Sequence, residues 1–256
     1  MSDYVPLTRK EISARYLFLP NRWIDCGTYY VNLAEQCSDE WLAERKNRLT
    51  ASNFGAAVGD SSFVTPLELG LDITGLKPLK PTYQGKFNMQ HGVVNEPHAR
   101  NWYETQKGVK VKEVGLAVPK WEPRIGGSAD GVVLDSEGRE TDTAIEIKCP
   151  QHMYKPLLAH IQKLASGWTP PTYYHDHIWK SHYAQMQGVM AILGKKKCDY
   201  IVYATASNQC YTETILFNED YWNNDLYPRI NDYLDQTLEP LITQGFDSDL
   251  FVAVEC

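Results

Sequence analysis

Between residues 126 and 150 the chain reads GGSADGVVLDSEGRETDTAIEIKCP, two apolar, alternating runs on either side of a polar centre rich in turn residues. The pattern predicts a β-hairpin with strands at 132–134 and 144–149. Upstream, helical periodicity dominates. Ser38 as N-cap, with Asp39 and Glu40 in the first turn, predicts a short helix carrying Trp41 and Arg45 on one face. A second helix is predicted to open around Thr50 to Ser52 and stop at Gly59, and a third to run from the cap Thr65, with Pro66 in first position, to about Gly75. Residues 88–107 are again helical in pattern, with Pro97 expected to kink or begin a segment and Gly108 to close it. A strand is predicted over 109–118, helices over 153–164 and 176–193, then strands YIVYATA and YTETILF and an acidic helical C-terminus. Helices around a small mixed sheet give an α/β fold.

The hairpin brings chemistry together. Glu146 and Lys148 leave one face of their strand, while Ile145 and Ile147 leave the other. If the hairpin is symmetric about Gly138, Asp130 lies opposite Glu146, and two carboxylates converge with a lysine. Such a pair with open positions suits Mg²⁺, a hard ion that keeps waters and takes phosphate oxygens as further ligands. The ion would lower the pKa of a bound water and neutralise charge in the transition state of phosphodiester hydrolysis, while Lys148 orients the water or supports its deprotonation. An ordinary hairpin with a cross-strand salt bridge carries the same Glu-x-Lys, so these residues alone leave both readings open.

Composition narrows the setting. The 256 residues carry 25 basic and 32 acidic side chains, a net charge of −7, which excludes a generally basic protein that coats nucleic acid. The charge is uneven. Residues 198–256 hold one basic residue, Arg229, and eleven acidic ones, a net −10, which leaves +3 for the preceding 197 residues. An anionic partner is therefore expected to meet the first three quarters of the chain. With 43% hydrophobic residues there is material for a core, and no apolar run is long enough to span a bilayer or serve as a signal peptide. The expectation is a soluble, unexported protein with no membrane partner, located in the cytoplasm of a host cell or in the nucleus if its source is a eukaryotic virus. The six cysteines show no C-x-x-C pair, which fits a reducing compartment and mostly structural thiols. No repeat interrupts the chain, and a single domain over 1–256 is expected.

Five segments, LTASNFGAAVG at 49–59, HGVVNEPHARNWYETQKG at 91–108, GGSADGVV at 126–133, EIKCP at 146–150 and HYAQMQGVM at 182–190, resemble in order the lambda-exonuclease-like nucleases, the YqaJ-type viral recombinase family of the PD-(D/E)-x-K superfamily. The resemblance spans about 38–205 and leaves 206–256 as an acidic extension; S-x-D-G followed by E-x-K-C-P is its most specific part. It implies a restriction-endonuclease-like core and a Mg²⁺-dependent DNA exonuclease, with Mn²⁺ as a substitute and two ions, acting 5′→3′ on linear duplex ends to leave 3′ single strands for recombination or repair. Residue by residue, it makes Asp130, Glu146 and the carbonyl of Ile147 metal ligands and Lys148 the catalytic lysine. Glu96 matches a helical acidic residue near the metals, and Gln185 a glutamine lining the same cleft. Arg45, Ser52 and Ser128 match positions that hold the 5′-terminal phosphate. Ser52 at a helix start and Arg45 on the adjoining helix make an anion pocket physically reasonable. The family's further arginine after E-x-K-C-P is absent, and Lys155 is the substitute, a point charge without the bidentate fork. By the same resemblance, a ring-shaped trimer and a single-strand annealing protein are expected partners. An endonuclease with the same core, or a DNA-end-binding module without catalysis, are the alternatives.

Other signals receive plainer readings. His175-x-His177, with His182 beyond, has zinc-ligand residue types but only Asp176 at supporting spacing, so surface histidines in a loop are expected. Lys195 to Lys197 follow a helix end, where cations suit the dipole. Trp41 is expected to pack in the core. The stretch 159–180 is long for the family, and its aromatics and histidines suggest a DNA-contacting loop or a subunit contact. No phosphate loop of the Walker type supports ATP hydrolysis.

Overall fold

In the computed structural model, residues 23–35 and 38–244 are described. A five-stranded mixed sheet is laid out as β10-β9-β8-β7-β4, with β4 at Lys110–Lys112, β7 at Gly131–Leu134, β8 at Glu140–Lys148, β9 at Lys197–Ala204 and β10 at Gln209–Leu216. Only β8 and β9 run parallel. The crossover between them contains α5 (Lys155–Ala165) and α6 (Lys180–Leu193), as a parallel pair requires. A second sheet joins β1 (Trp23–Asp25), β2 (Tyr29–Asn32) and β5 (Ala117–Pro119), and a parallel pair joins β3 (Leu49–Thr50) to β6 (Ile125–Gly126). The strand predicted over 109–118 is thus two strands, β4 and β5, in different sheets. Apolar positions alternate on both sides of the break, at 109 and 111 before it and at 114, 116 and 118 after it, and only the change of phase at Lys112–Glu113 marks it.

The alternation along β8 divides the core. Ile145 and Ile147 pack with Ile201, Ala99 and Tyr103, beneath the long helix α4 (Tyr83–Lys107). Ala144, Tyr200 and Val202 join the main cluster on the other face, with Ala184, Met186 and Val189 of α6. Gly188 has no room for a Cβ, which would meet the Phe54 ring at 2.3 Å; its absence lets α6 settle on that ring. Pro97 lies inside α4 without ending it. The hydrogen bond it forfeits belongs to Val93, whose side chain is exposed at 61%, so water can satisfy the freed carbonyl.

The caps fall where the sequence places them. The Ser38 hydroxyl accepts from Trp41 N and opens α1 (Asp39–Arg45). Thr65 and Glu68 form a capping box for α3 (Pro66–Thr74), which Gly75 closes at φ +75°. The predicted helix at 50–59 is a 3₁₀ turn, Ala51–Asn53, followed by the single turn α2, Phe54–Ala57. The acidic C-terminal extension, a helical run at 219–244 with π-helical stretches at Trp222–Leu226 and Leu234–Leu238, buries Trp222, Leu226, Ile230, Leu234 and Leu238 in the main core. No helix of the described residues is long and apolar enough to cross a membrane.

Candidate active site

The hairpin aligns the acidic residues. β7 and β8 pair antiparallel with Gly131 opposite Ile145 and Val132 opposite Ala144, the register that sets Asp130 at the level of Glu146. The main-chain N–H of Ile147 donates to Asp130 Oδ2 at 2.6 Å, which holds that carboxylate beside the backbone between Glu146 and Lys148. Lys148 Nζ lies 2.7 Å from Glu146 Oε1 and donates to Gln185 Oε1 of α6 at 3.1 Å. Glu146 is 1% exposed, and its Oε2 meets no hydrogen-bond donor. Glu96 reaches the group from α4 and pairs at 2.6 Å with Arg100, one turn on. Arg100 also pairs with Glu113.

Electrostatics register the crowding. Burial first, and the Asp130 and Glu96 carboxylates next, push Glu146 up to about 8 against the pull of Lys148. Burial and then Asp130 push Glu96 up to about 7, with Arg100 opposing. Asp130 is raised by burial, with Lys148 and the Ile147 N–H acting the other way. For Lys148, burial acts downward, but Glu146 and Asp130 outweigh it and lift the ammonium to about 12. A buried oxygen without a donor, next to two further carboxylates, is an arrangement that a divalent cation satisfies. The residues present therefore fit a divalent cation, which Asp130 and Glu146 could hold.

These five side chains, Glu96, Asp130, Glu146, Lys148 and Gln185, share one cleft of about 690 Å³. Of its aromatic wall, Trp179 belongs to the 159–180 stretch singled out in the sequence, and Tyr154 was not foreseen. Tyr154 and Trp179 line the cleft and pack on each other with ring centroids 4.6 Å apart. Behind them His182 Nδ1 bonds the Tyr200 hydroxyl at 2.9 Å, and burial, then the nearby Lys148 cation, hold this imidazole down at about 2, so it is neutral. Arg100, which the sequence reading did not single out, carries a local signal in its i, i+4 spacing to Glu96. Tyr154 carries no local signal, because it meets Trp179 and His182 only through the crossover between β8 and β9.

The residues assigned to a terminal phosphate lie elsewhere. Arg45 NH2 donates to Thr50 Oγ1 at 2.9 Å and reaches Ser52 Oγ at 3.4 Å, and its guanidinium stacks 4.2 Å over the Trp41 ring, itself packed against the small core around Trp23. Arg45 and Thr50 border a separate hollow of about 370 Å³. Thr50 pairs with Gly126 in a parallel register, and a Cβ on Gly127 would lie 3.3 Å from Ala51, so the segments that lead to Ser52 and Ser128 run side by side. Ser128 Oγ is buried and has no hydrogen-bond partner. The helix-dipole argument for Ser52 does not hold: the residue sits within a 3₁₀ turn ahead of a single helical turn, too short to carry a useful dipole. Lys155 is exposed at the start of α5 and does not line the cleft; its neighbour Tyr154 does.

One further expectation is corrected. His177 is 3% exposed, not a surface residue, and His175 stacks on Tyr183 at 3.7 Å between centroids, because the 166–179 loop folds back over the sheet. Lys195, just beyond the C-terminus of α6, is 9% exposed and donates to Glu140 Oε2 and Thr141 O, tying the helix end to the start of β8.

The profile of the YqaJ-like viral recombinase domain matches residues 40–196. The structure is similar to that of an alkaline exonuclease, LHK-Exo from Laribacter hongkongensis, with 26% sequence identity and a TM-score of 0.57 over 80% of this chain and 94% of that one. It is equally similar to LHK-Exo in complex with dAMP, with 26% identity and a TM-score of 0.58 over the same shares. A phage related exonuclease from Haemophilus somnus 129PT is more distant, with 14% identity and a TM-score of 0.48 over 78% of this chain and 96% of that one. No curated protein sequence matches the chain.

Proposed function

The chain belongs to the YqaJ-like viral recombinase family, and from that premise we propose that it is a Mg²⁺-dependent exonuclease that degrades linear duplex DNA 5′→3′ and leaves a 3′ single strand for recombination. Its fold is restriction-endonuclease-like. Family membership and the likeness to LHK-Exo, an alkaline exonuclease, support exonuclease action on DNA. The observation that carries the reading is the convergence of Asp130, Glu146, Lys148 and Gln185 around a buried Glu146 oxygen without a donor.

Asp130 and Glu146, with the Ile147 carbonyl, are the residues that would hold Mg²⁺, and Glu96 the one that supports a second ion or its waters. When bound, the metal supplies Lewis acidity to the phosphodiester and a water of lowered pKa. The chain's own groups do the rest. The Ile147 N–H occupies one oxygen of Asp130 and leaves the other for a ligand. Lys148, a cation at neutral pH and held between Glu146 and Gln185, donates toward the attacking water and offsets charge that develops on the phosphoryl oxygens. Tyr154 and Trp179 present aromatic surface on the cleft wall, against which a terminal nucleotide can stack. Arg45, Ser52 and Ser128 would receive the 5′-phosphate one step along the strand, and Lys155 would add a weak, exposed charge.

Covalently closed circular duplex and its linearised form, each incubated with protein and Mg²⁺, test the proposal. It requires the linear form to disappear and the circle to persist. Rapid nicking of the circle would identify an endonuclease; binding of ends without hydrolysis of either form would identify an end-binding module.

A further inference from the structure

Outside the carboxylate cleft, a second set of ligand-type side chains converges from three separate elements. His160 comes from α5, His177 from the 166–179 loop and Glu213 from the edge strand β10, and one ligand atom from each lies within 4.8 Å of the others. Both histidines are 3% exposed. Their imidazoles lie parallel, 3.6 Å apart between centroids. Each has a buried Nδ1 that meets no hydrogen-bond partner. Two neighbouring orphaned imidazole nitrogens are an unusual thing to bury, and they point to a ligand that accepts nitrogen lone pairs.

We propose that His160, His177 and Glu213 form a second metal site, one that takes a divalent transition ion of the zinc class and fastens α5 and the 166–179 loop to β10. Two imidazoles and one carboxylate are a donor set that such ions take in preference to Mg²⁺, and three protein ligands leave a position for water. The surroundings have the features of a built site. The Tyr211 hydroxyl donates to Glu213 Oε2 at 2.7 Å and fixes the carboxylate, while His177 Nε2 lies 2.6 Å from the same oxygen. Glu213 also borders a hollow of about 230 Å³ flanked by Pro171 and Tyr174, which gives an ion a route in. An ion sits in the plane of the imidazole it binds, so binding turns one ring out of the stack by rotation about its Cβ–Cγ bond and replaces the His177–Glu213 contact.

The site is separate from the cleft but on the same face of the sheet. Glu213 pairs with Tyr200, and Tyr200 with Glu146, which puts the two carboxylates two strand spacings apart, about 10 Å. The loop it would anchor ends at Trp179, on the cleft wall, just before the helix that carries Gln185. A bound ion therefore stiffens the approach to the cleft without supplying a reacting group.

The test uses the full chain with the carboxylate cleft silenced by Asp130→Asn and Glu146→Gln. Titration with Co²⁺ is expected to give a visible d–d band that saturates at one ion per chain, with X-ray absorption showing two imidazole ligands. Zn²⁺ in hundredfold excess over its Kd is expected to raise the melting temperature by about 5 °C or more. Adding His160→Gln or Glu213→Gln is expected to abolish the band and the shift while the far-ultraviolet circular dichroism is retained. No saturating band in the silenced protein would overturn the proposal, as would a band without imidazole ligands or one that survives both added substitutions. These readouts do not depend on nuclease activity, so failure here and failure of the exonuclease reading are separate outcomes.

Discussion

Asp130 Oδ2 accepts the main-chain N–H of Ile147 at 2.6 Å, so the aspartate before β7 is locked to the strand segment that carries Glu146 and Lys148. One hydrogen bond thereby sets the spacing of both proposed metal ligands. In Asp130→Asn the amide oxygen can still accept this bond, so the fold is expected to persist while the ligand charge is lost. Activity should fall by about a thousandfold or more, since metal stabilisation of the transition state is worth several kcal/mol. DNA binding in Ca²⁺ and the circular dichroism spectrum should stay near wild type; a variant that keeps a tenth of wild-type activity would contradict the role.

Lys148 and Gln185 form a graded pair. Lys148→Met removes the cation and leaves Glu146 without its partner, and kcat is expected to drop by at least about a hundredfold. Gln185→Ala removes only a neutral acceptor that positions the ammonium. A hydrogen bond to a charged group is worth about 1.5–3 kcal/mol, so kcat should fall roughly 10- to 100-fold with KM little changed. Steady-state kinetics on both variants checks the order; a larger loss in Gln185→Ala than in Lys148→Met would contradict it.

The raised carboxylates give a pH signature. Glu146 and Glu96 titrate at about 8 and about 7 in the folded chain against an ordinary 4.5, chiefly because burial penalises their charge. Between pH 4.5 and 8 the folded state binds more protons than the unfolded one, so these groups lend stability below pH 4.5 that is lost as pH rises through 7 and 8. In chelator, the melting temperature should decline over this window more steeply for wild type than for Glu146→Gln, and added Mg²⁺ should raise it most at the alkaline end. Calorimetry across pH measures both; identical slopes for wild type and Glu146→Gln would refute the assignment.

Arg45 and Ser52 are expected to act on the strand end. Loss of a charge-assisted contact from Arg45→Ala should erase roughly 10- to 100-fold of the preference for a 5′-phosphorylated over a 5′-hydroxyl end. Comparing initial rates on the two substrates measures this. A wild-type enzyme that treats both ends alike would remove the phosphate role of both residues.

The hairpin was legible because two irregularities within it offset each other. Its turn is centred one residue before Gly138, with Asp135 N bonded to Arg139 O and Leu134 opposite Glu140, yet two extra residues bulge from β8 before Ala144. The two displacements cancel, so symmetry about Gly138 holds where the carboxylates stand. Caps such as Ser38 and Thr65 were legible because capping is a local interaction. The His160–His177–Glu213 cluster was not, because its partners are up to 53 residues apart and meet only through the β8–β9–β10 order. Ser52 shows the opposite failure: a good N-cap residue followed by apolar positions, in a segment whose burial against α6 allows only a 3₁₀ turn and one turn of helix.

The central claim is most directly tested on a linear duplex labelled at the 5′ end of one strand and, in a parallel substrate, at its 3′ end. With Mg²⁺, wild-type protein is predicted to release the 5′ label at once as mononucleotide and the 3′ label only late; EDTA or Asp130→Asn is predicted to stop both. Early release of the 3′ label, or undiminished hydrolysis by Asp130→Asn, would contradict the account.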